Sequence, residues 1–229
     1  AEKRSYVRQM FAAIAPSYDL LNHLLSLNAD RRWRRLAVDR LGWERAPAGR
    51  YLDLCSGTMD LAAELGGRKG FAGKVVAADF VPEMLRLGRG KAQGLAPLAA
   101  DALALPFGDA TFDGATVGFG VRNFSDLDVG LREAARVLKP GARLVVLECS
   151  TPPFAPIRVL YFFYFRHILP LVGRLISRHA NAYSYLPESV LAFPGADELK
   201  GLMRASGFTE VAFRHHFLGI VAIHVGVRT

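Results

Sequence analysis

Between residues 50 and 149, short apolar runs alternate with helically spaced segments, and this alternation constrains the fold more than any other feature of the chain. "RYLDLC" (50–55) is apolar and ends in a polar loop, the pattern of a buried strand. "MDLAAEL" (59–65) has helical spacing. "KVVAADF" (74–80) predicts a second strand, and "PEMLRLGRGKAQ" (82–93) a helix with Pro82 in its first turn, a favoured place for proline. "APLAA" (96–100) predicts a weak third strand and "FDGATVGFG" (112–120) a fourth. A helix follows over 126–138 and a fifth strand over 142–149, with the stop signal "KPG" between them. Strands alternating with helices predict a parallel sheet covered on both faces.

The C-terminal "FTEVAFRHHFLGIVAIHVGVRT" (208–229) breaks this pattern with two strands joined by a very short turn near Gly219. So short a connection permits only an antiparallel pair. The expected fold is therefore α/β: a doubly wound, mostly parallel seven-stranded sheet that ends in an antiparallel hairpin. Residues 1–45 are helical in period. Residues 152–200 are too long for one crossover. The chain of 229 residues, 51% hydrophobic, reads as a single domain over 1–229, with 1–45 a helical cap and 152–200 a helical insertion on the substrate side.

Cys55 and Cys149 fall at strand ends and make no ligand pair by spacing, so reduced thiols in a reducing cytosol are expected. "AEKRSYVRQMF" lacks the apolar segment of a signal peptide, which points to a cytoplasmic protein. A net charge of +8 raises nucleic acid, an anionic membrane surface and an anionic substrate as partners. "RRWRR" (31–35) would face several ways on a helix, which favours a solvated face over a nucleic-acid site. His215 and His216 alternate across a strand, and no metal is expected there. The most apolar stretch, 155–177, is interrupted by Arg158, Arg166, His167 and Arg174 and broken by Pro170. Two short helices are expected, lying at a membrane surface or lining a groove, or else forming a buried cap and a homodimer contact.

The first strand runs into "LDLCSGTMD" (52–60). In open α/β sheets, ligands sit beyond the carboxyl ends of strands where the strand order reverses. A pyrophosphate there needs several glycines for close backbone approach. This loop has Gly57 alone, and it carries Asp53 and Asp60. Two carboxylates suit an ammonium and a sulfonium, the two cations of S-adenosylmethionine, which has no phosphate. Asp79 ends the second strand, where a carboxylate can take both ribose hydroxyls. Asp101 follows the third, where it can receive an adenine amino group. Each acid taken singly could equally be a helix cap or a turn residue.

"MFAAIAPSYDLLNHLLSL…RRWRR", "LDLCSGTMD", "FGVRNFSD", "RVLKPGARLVVLECSTP", "YSYLPESVLAFP" and "GIVAIHVG" together closely resemble the quinone-biosynthesis C-methyltransferases. The likeness runs over nearly the whole chain. It implies a class I S-adenosylmethionine-dependent methyltransferase fold and methylation of a polyprenyl quinol. Demethylmenaquinol is the first acceptor implied. A polyprenyl methoxybenzoquinol, or a binding role in an assembly without catalysis, are the alternatives. The resemblance places cofactor contacts at Thr58, Asp79, Asp101, Ala102 and the backbone of Gly118. It also implies transient contact with the inner face of the membrane. Met59 stands where relatives carry a small residue, and either narrows the pocket or packs against it. Asn28 stands where Gly is usual, and Asp30 where His is common.

A hydroquinone carbon becomes a good nucleophile once a neighbouring hydroxyl is ionised. The site must align carbon, methyl and sulfur and favour an oxyanion. Arg122 and Asn123, after the fourth strand, are the first candidates. Arg122 would stabilise the oxyanion or order a water that takes the proton; alternatively it pairs with a carboxylate such as Asp126 and supports the loop. Tyr18 and Asp19 are second, as groups over the ring or as a helix start. His23 is a further possible base, or a packing residue.

Overall fold

The computed structural model describes residues 2–168 and 180–229. Its strands are β1 (Arg50–Leu54), β2 (Lys74–Asp79), β3 (Leu95–Ala99), β4 (Phe112–Gly118), β5 (Leu138–Cys149), β6 (Phe208–His216) and β7 (Val221–Arg228). They form one seven-stranded sheet in the order β3-β2-β1-β4-β5-β7-β6. The first five pair in parallel, and β7 runs antiparallel to both β5 and β6. The expected doubly wound sheet with a terminal hairpin is the fold observed.

The described helices are α1 (Glu2–Ile14), α2 (Tyr18–Leu25), α3 (Ala29–Leu41), α4 (Asp60–Gly66), α5 (Pro82–Gly88), α6 (Leu127–Val137), α7 (Ala155–Phe163), α8 (Ala180–Leu191) and α9 (Ala196–Ala205). Two cores flank the sheet because side chains alternate along each strand. On one face Leu144 and Val146 meet Leu131 and Ala135 of α6 and Leu199 and Met203 of α9. On the other, Val145 and Leu147 meet Trp33, Ala37 and Leu41 of α3 and Leu61 and Leu65 of α4. Each of the larger aliphatic side chains contributes roughly 1.5–3 kcal/mol on burial. α1 and α2 lie elsewhere. Ile14 packs with Phe11, Tyr18, Tyr164 and Leu186, and Ala15 with Val81 and Met84, over the carboxyl ends of the strands.

Two boundaries differ from expectation. α5 stops at Gly88, short of the expected Gln93, and Gly90 follows with φ +85. Gly88 is pressed against the first loop, where a Cβ would lie 2.4 Å from the Thr58 carbonyl oxygen. α6 ends at Val137 and extended chain resumes at once at Leu138 rather than at Ala142, so "KPG" lies within β5 instead of between helix and strand. The β4–β5 ladder skips from Phe112↔Leu138 to Gly114↔Arg143. Pro140 lacks the N–H that a regular ladder needs, so this stretch is accommodated as a bulge. Of the apolar stretch 155–177, α7 and a wider turn over Tyr164–Ile168 are observed. Pro170 and Arg174 lie outside the described residues. Among the described residues no helix is long and apolar enough to cross a membrane.

Candidate active site

The loop after β1 is held in a backbone shape that side chains seldom adopt. Cys55, Gly57 and Met59 all have positive φ, at 50, 53 and 64. Two carboxylates brace it from below. Asp53 accepts hydrogen bonds from Ser56 Oγ at 2.6 Å, Thr116 Oγ1 at 2.8 Å and the Ala62 N–H at 3.2 Å. Asp79 accepts the N–H groups of Gly57 and Val81, both at 2.8 Å. Burial pushes the pKa of each up to about 6, against the pull of these donors. Met59 is buried and packs towards α5 rather than into the site, which favours the packing reading of that departure.

Above this loop lies a polar crevice of about 30 Å³. Asp53, Gly57, Thr58, Asp60 and Gly118 line it together with Ser56 and Phe119. It sits beyond the ends of β1 and β4, where the strand order reverses. Asp79 stands behind the loop as its anchor. Asp101 and Ala102 do not line the crevice: Asp101 caps its own turn through the Leu103 N–H at 3.0 Å and meets Arg4 of α1 at 2.9 Å, and Ala102 is buried in the core.

Asp19 ties the N-terminal helices to this loop. It accepts Thr58 Oγ1 at 2.5 Å and Lys91 Nζ at 2.7 Å, and Lys91 also pairs with Asp60. Asp19 makes no helix-capping bond and lines neither this crevice nor the larger cavity beside it. Arg34, from "RRWRR", turns inward to Asp30 and Asp60, whereas Arg31, Arg32 and Arg35 are exposed. Asp30 is buried and accepts His23 Nδ1 at 2.8 Å and Ser26 Oγ at 2.7 Å. Burial alone would raise its pKa; Arg34, Ser26 and His23 together bring it below the usual carboxylate value. His23 is thus engaged in joining α2 to α3. Asn28 takes the left-handed φ of 61 that the bend before α3 requires.

Next to the crevice is a much larger apolar cavity of about 570 Å³. The two share Tyr18, Arg34 and Phe119 as walls. Arg122 lines the large cavity. Its Nη1 donates to Glu148 Oε1 at 2.5 Å and to the Phe119 carbonyl at 2.7 Å. The expected alternative partner, Asp126, is instead the N-cap of α6 and accepts the Val129 N–H. Glu148 also accepts the Cys149 N–H at 2.8 Å. Burial opposes the charge on Arg122, and Glu148 outweighs it, so the guanidinium pKa is raised. Asn123 accepts the Tyr185 hydroxyl at 3.0 Å and so holds α8 against the wall. Tyr18 is partly buried; desolvation raises its phenol pKa, while Arg122, Asn22 and Arg34 pull it down.

Sequence reasoning passed over Glu148, Tyr185 and Tyr161. For Glu148 a signal exists, a lone acid inside the apolar strand "LVVLEC". The two tyrosines had none, because an aromatic-rich helix looks the same whether it builds a core or a pocket.

A seven-stranded sheet with a reversed β7, and an acid-lined loop at the switch point, define a class: the S-adenosylmethionine-dependent methyltransferases. Within that class, the chain belongs to the ubiE/COQ5 methyltransferase family, which matches it over residues 1–228. It is 53% identical over 223 residues to a protein named demethylmenaquinone methyltransferase from Thermus thermophilus, covering 96% of this chain and 100% of that one. A protein of the same name from Deinococcus radiodurans is 47% identical over 230 residues, covering 98% and 93%. A ubiquinone/menaquinone biosynthesis C-methyltransferase UbiE from a Geobacter species is 46% identical over 236 residues, covering 100% and 98%. Among solved structures, a methyltransferase from Thermotoga maritima described as a possible histamine N-methyltransferase superposes with a TM-score of 0.66 at 20% identity, covering 97% and 99%. That likeness is one of fold. The chain is a methyltransferase and its methyl donor is S-adenosylmethionine.

Proposed function

We propose that the enzyme methylates a ring carbon of a polyprenyl hydroquinone, converting demethylmenaquinol to menaquinol. One observation carries this reading: a long apolar cavity meets the acid-lined crevice across Tyr18, with Arg122 in its wall. A cavity of about 570 Å³ lies in the range of ordinary ligand sites and suits a bicyclic ring with part of an apolar tail.

The residues present fit the donor. Carboxylates and hydroxyls line the crevice, and Arg34 and Lys91 beside it are already paired with acids. Asp79 with Gly57 would hold the ribose side and Thr58, Asp60 and the Gly118 backbone the amino-acid end; Asp101 would reach the adenine only after leaving Arg4, and Ala102 would serve as packing beneath it. When bound, the donor supplies an electrophilic methyl. The crevice, at about 30 Å³, is smaller than a nucleoside, so it must widen to admit the donor.

On the acceptor side, Arg122 is charged at every working pH and stabilises the aryloxide that pushes density onto the ortho carbon. Glu148 fixes its direction. Tyr18 separates the two chambers and sets the line along which carbon meets methyl. Asn123 keeps α8 seated through Tyr185.

The polyprenyl methoxybenzoquinol is the second acceptor, favoured by the ubiquinone in the name of the Geobacter relative. Turnover of short-tailed forms of both quinols with labelled donor separates the readings. Methylation of the naphthalene ring alone supports the first, and methylation of the benzene ring alone replaces it. Binding without product from either ring supports an assembly role.

Leu27, Phe163, Phe217 and Leu218 line the cavity yet are at least half exposed, a rim of apolar side chains with Arg158 and Arg166 on the adjoining segment. This rim would dock transiently on the inner face of an anionic membrane, where a lipid-tailed quinol resides. Flotation with anionic and neutral vesicles tests it. A rim covered by a second copy of the chain would instead give concentration-dependent sedimentation without vesicle binding.

A further inference from the structure

The large cavity is apolar, yet Tyr161 of α7 brings a phenol into its wall. The residue is 5% exposed, and its hydroxyl has no hydrogen-bond partner among the described residues. Leaving a buried hydroxyl unmatched is unfavourable, and such groups are uncommon in folded proteins. Its ring is well fixed, 4.3 Å from Phe165 and 5.7 Å from Phe162 between centroids. Tyr161 belongs to a buried cluster that packs against Cys149, the residue after Glu148, and it lines the same cavity as Arg122. Burial, with Cys149 second, raises its pKa, so it stays protonated and able to donate at neutral pH.

We infer that the Tyr161 hydroxyl is a hydrogen-bond donor reserved for the acceptor's ring oxygen, and that with Arg122 it forms a two-donor anion site. The inference rests on the acceptor proposed above, an aryl ring bearing hydroxyls. Arg122 contributes a charge and Tyr161 a directed O–H. The phenol keeps its proton throughout, so no bond to it forms or breaks. An aryloxide held by both is better stabilised than by Arg122 alone once the wall shifts to bring the enclosed hydroxyl to it, because in a dry site no water competes for the donor. A ring without that oxygen leaves the hydroxyl buried and unmatched, which discriminates against it.

Tyr161→Phe tests the inference without disturbing packing. The variant should melt at the same temperature as the wild type or higher, since it loses an unmatched polar atom. Calorimetry should give unchanged S-adenosylmethionine affinity and about tenfold weaker binding of a naphthalene-1,4-diol carrying one isoprenyl unit. Turnover should fall by about tenfold or more, with the acid limb of kcat displaced to higher pH. A lower melting temperature with unaltered diol binding overturns the inference in favour of a structural hydroxyl, as does a variant that matches the wild type throughout. If the wild type binds the diol but yields no methylated product, the proposed reaction fails; weaker diol binding by the variant still upholds the donor role.

Discussion

Arg122 and Glu148 form a buried ion pair, with Nη1 2.5 Å from Oε1 and side chains 7% and 2% exposed, at the junction of β4, β5 and the apolar cavity. Breaking one side of such a pair strands the other charge. Glu148→Ala should therefore destabilise the protein by about 3–5 kcal/mol, measured by denaturant unfolding. Glu148→Gln keeps the shape and an acceptor oxygen. It should lower turnover more than it lowers stability, because Arg122 loses the partner that aims it. Full turnover in the Gln variant would show that Arg122 needs no such support.

Asp79 braces the loop under the crevice, whereas Arg122 lines the apolar cavity. Asp79→Asn keeps the volume but replaces one acceptor with a donor facing the Gly57 or Val81 N–H. Loss of the braced loop should weaken S-adenosylmethionine binding by tenfold or more, roughly 1–3 kcal/mol. Arg122→Ala should leave that affinity within about twofold and remove turnover. Calorimetry and product analysis on the two variants check this; equal losses of donor affinity would refute the division.

The raised carboxyls should make donor binding pH-dependent. With Asp79 near pKa 6, only about one-tenth is ionised at pH 5. Affinity for the cationic donor should rise about tenfold from pH 5 to pH 7 and then level. Calorimetry across that range reads it directly, and the slope should flatten in Asp79→Asn.

Stability follows the opposite sign for the same groups. Asp53 and Asp79 have folded pKa values above their unfolded ones, so the native state binds the proton more tightly. Their contribution is full below about pH 4 and is lost as pH rises towards 6. Asp30, with its lowered pKa, contributes above the unfolded value and loses this as pH falls. Unfolding of Asp53→Asn should show a smaller decline between pH 4 and 6 than the wild type.

Gly88 sets how closely α5 approaches the first loop. A methyl there would lie 2.4 Å from the Thr58 carbonyl oxygen and 2.7 Å from Met59 Cε. Gly88→Ala should displace the loop and weaken donor binding several-fold, although Ala favours helix over Gly by about 1 kcal/mol. Donor binding as tight as in the wild type would show that the loop tolerates the shift.

Periodicity alone determined the sheet, its parallel body and its antiparallel end. Buried strands, amphipathic helices and a short final turn leave one economical arrangement, and each signal is local. The sequence also placed Asp53, Asp79 and Asp101 at successive strand ends, since a strand's end can be read from where its apolar run stops. It could not tell which acid faces a cavity. Asp79 braces the loop through Gly57, and Asp101 sits apart with Arg4, because helices far away in sequence choose their neighbours. Arg122 was legible as a charge after β4; that its partner is Glu148 rather than Asp126 was not, because pairing across 26 residues depends on strand register. Tyr161 carries the same lesson. Its hydroxyl gains meaning only where α7 folds over the strand ends and closes an apolar space around a donor, a property of packing that no run of residues encodes by itself.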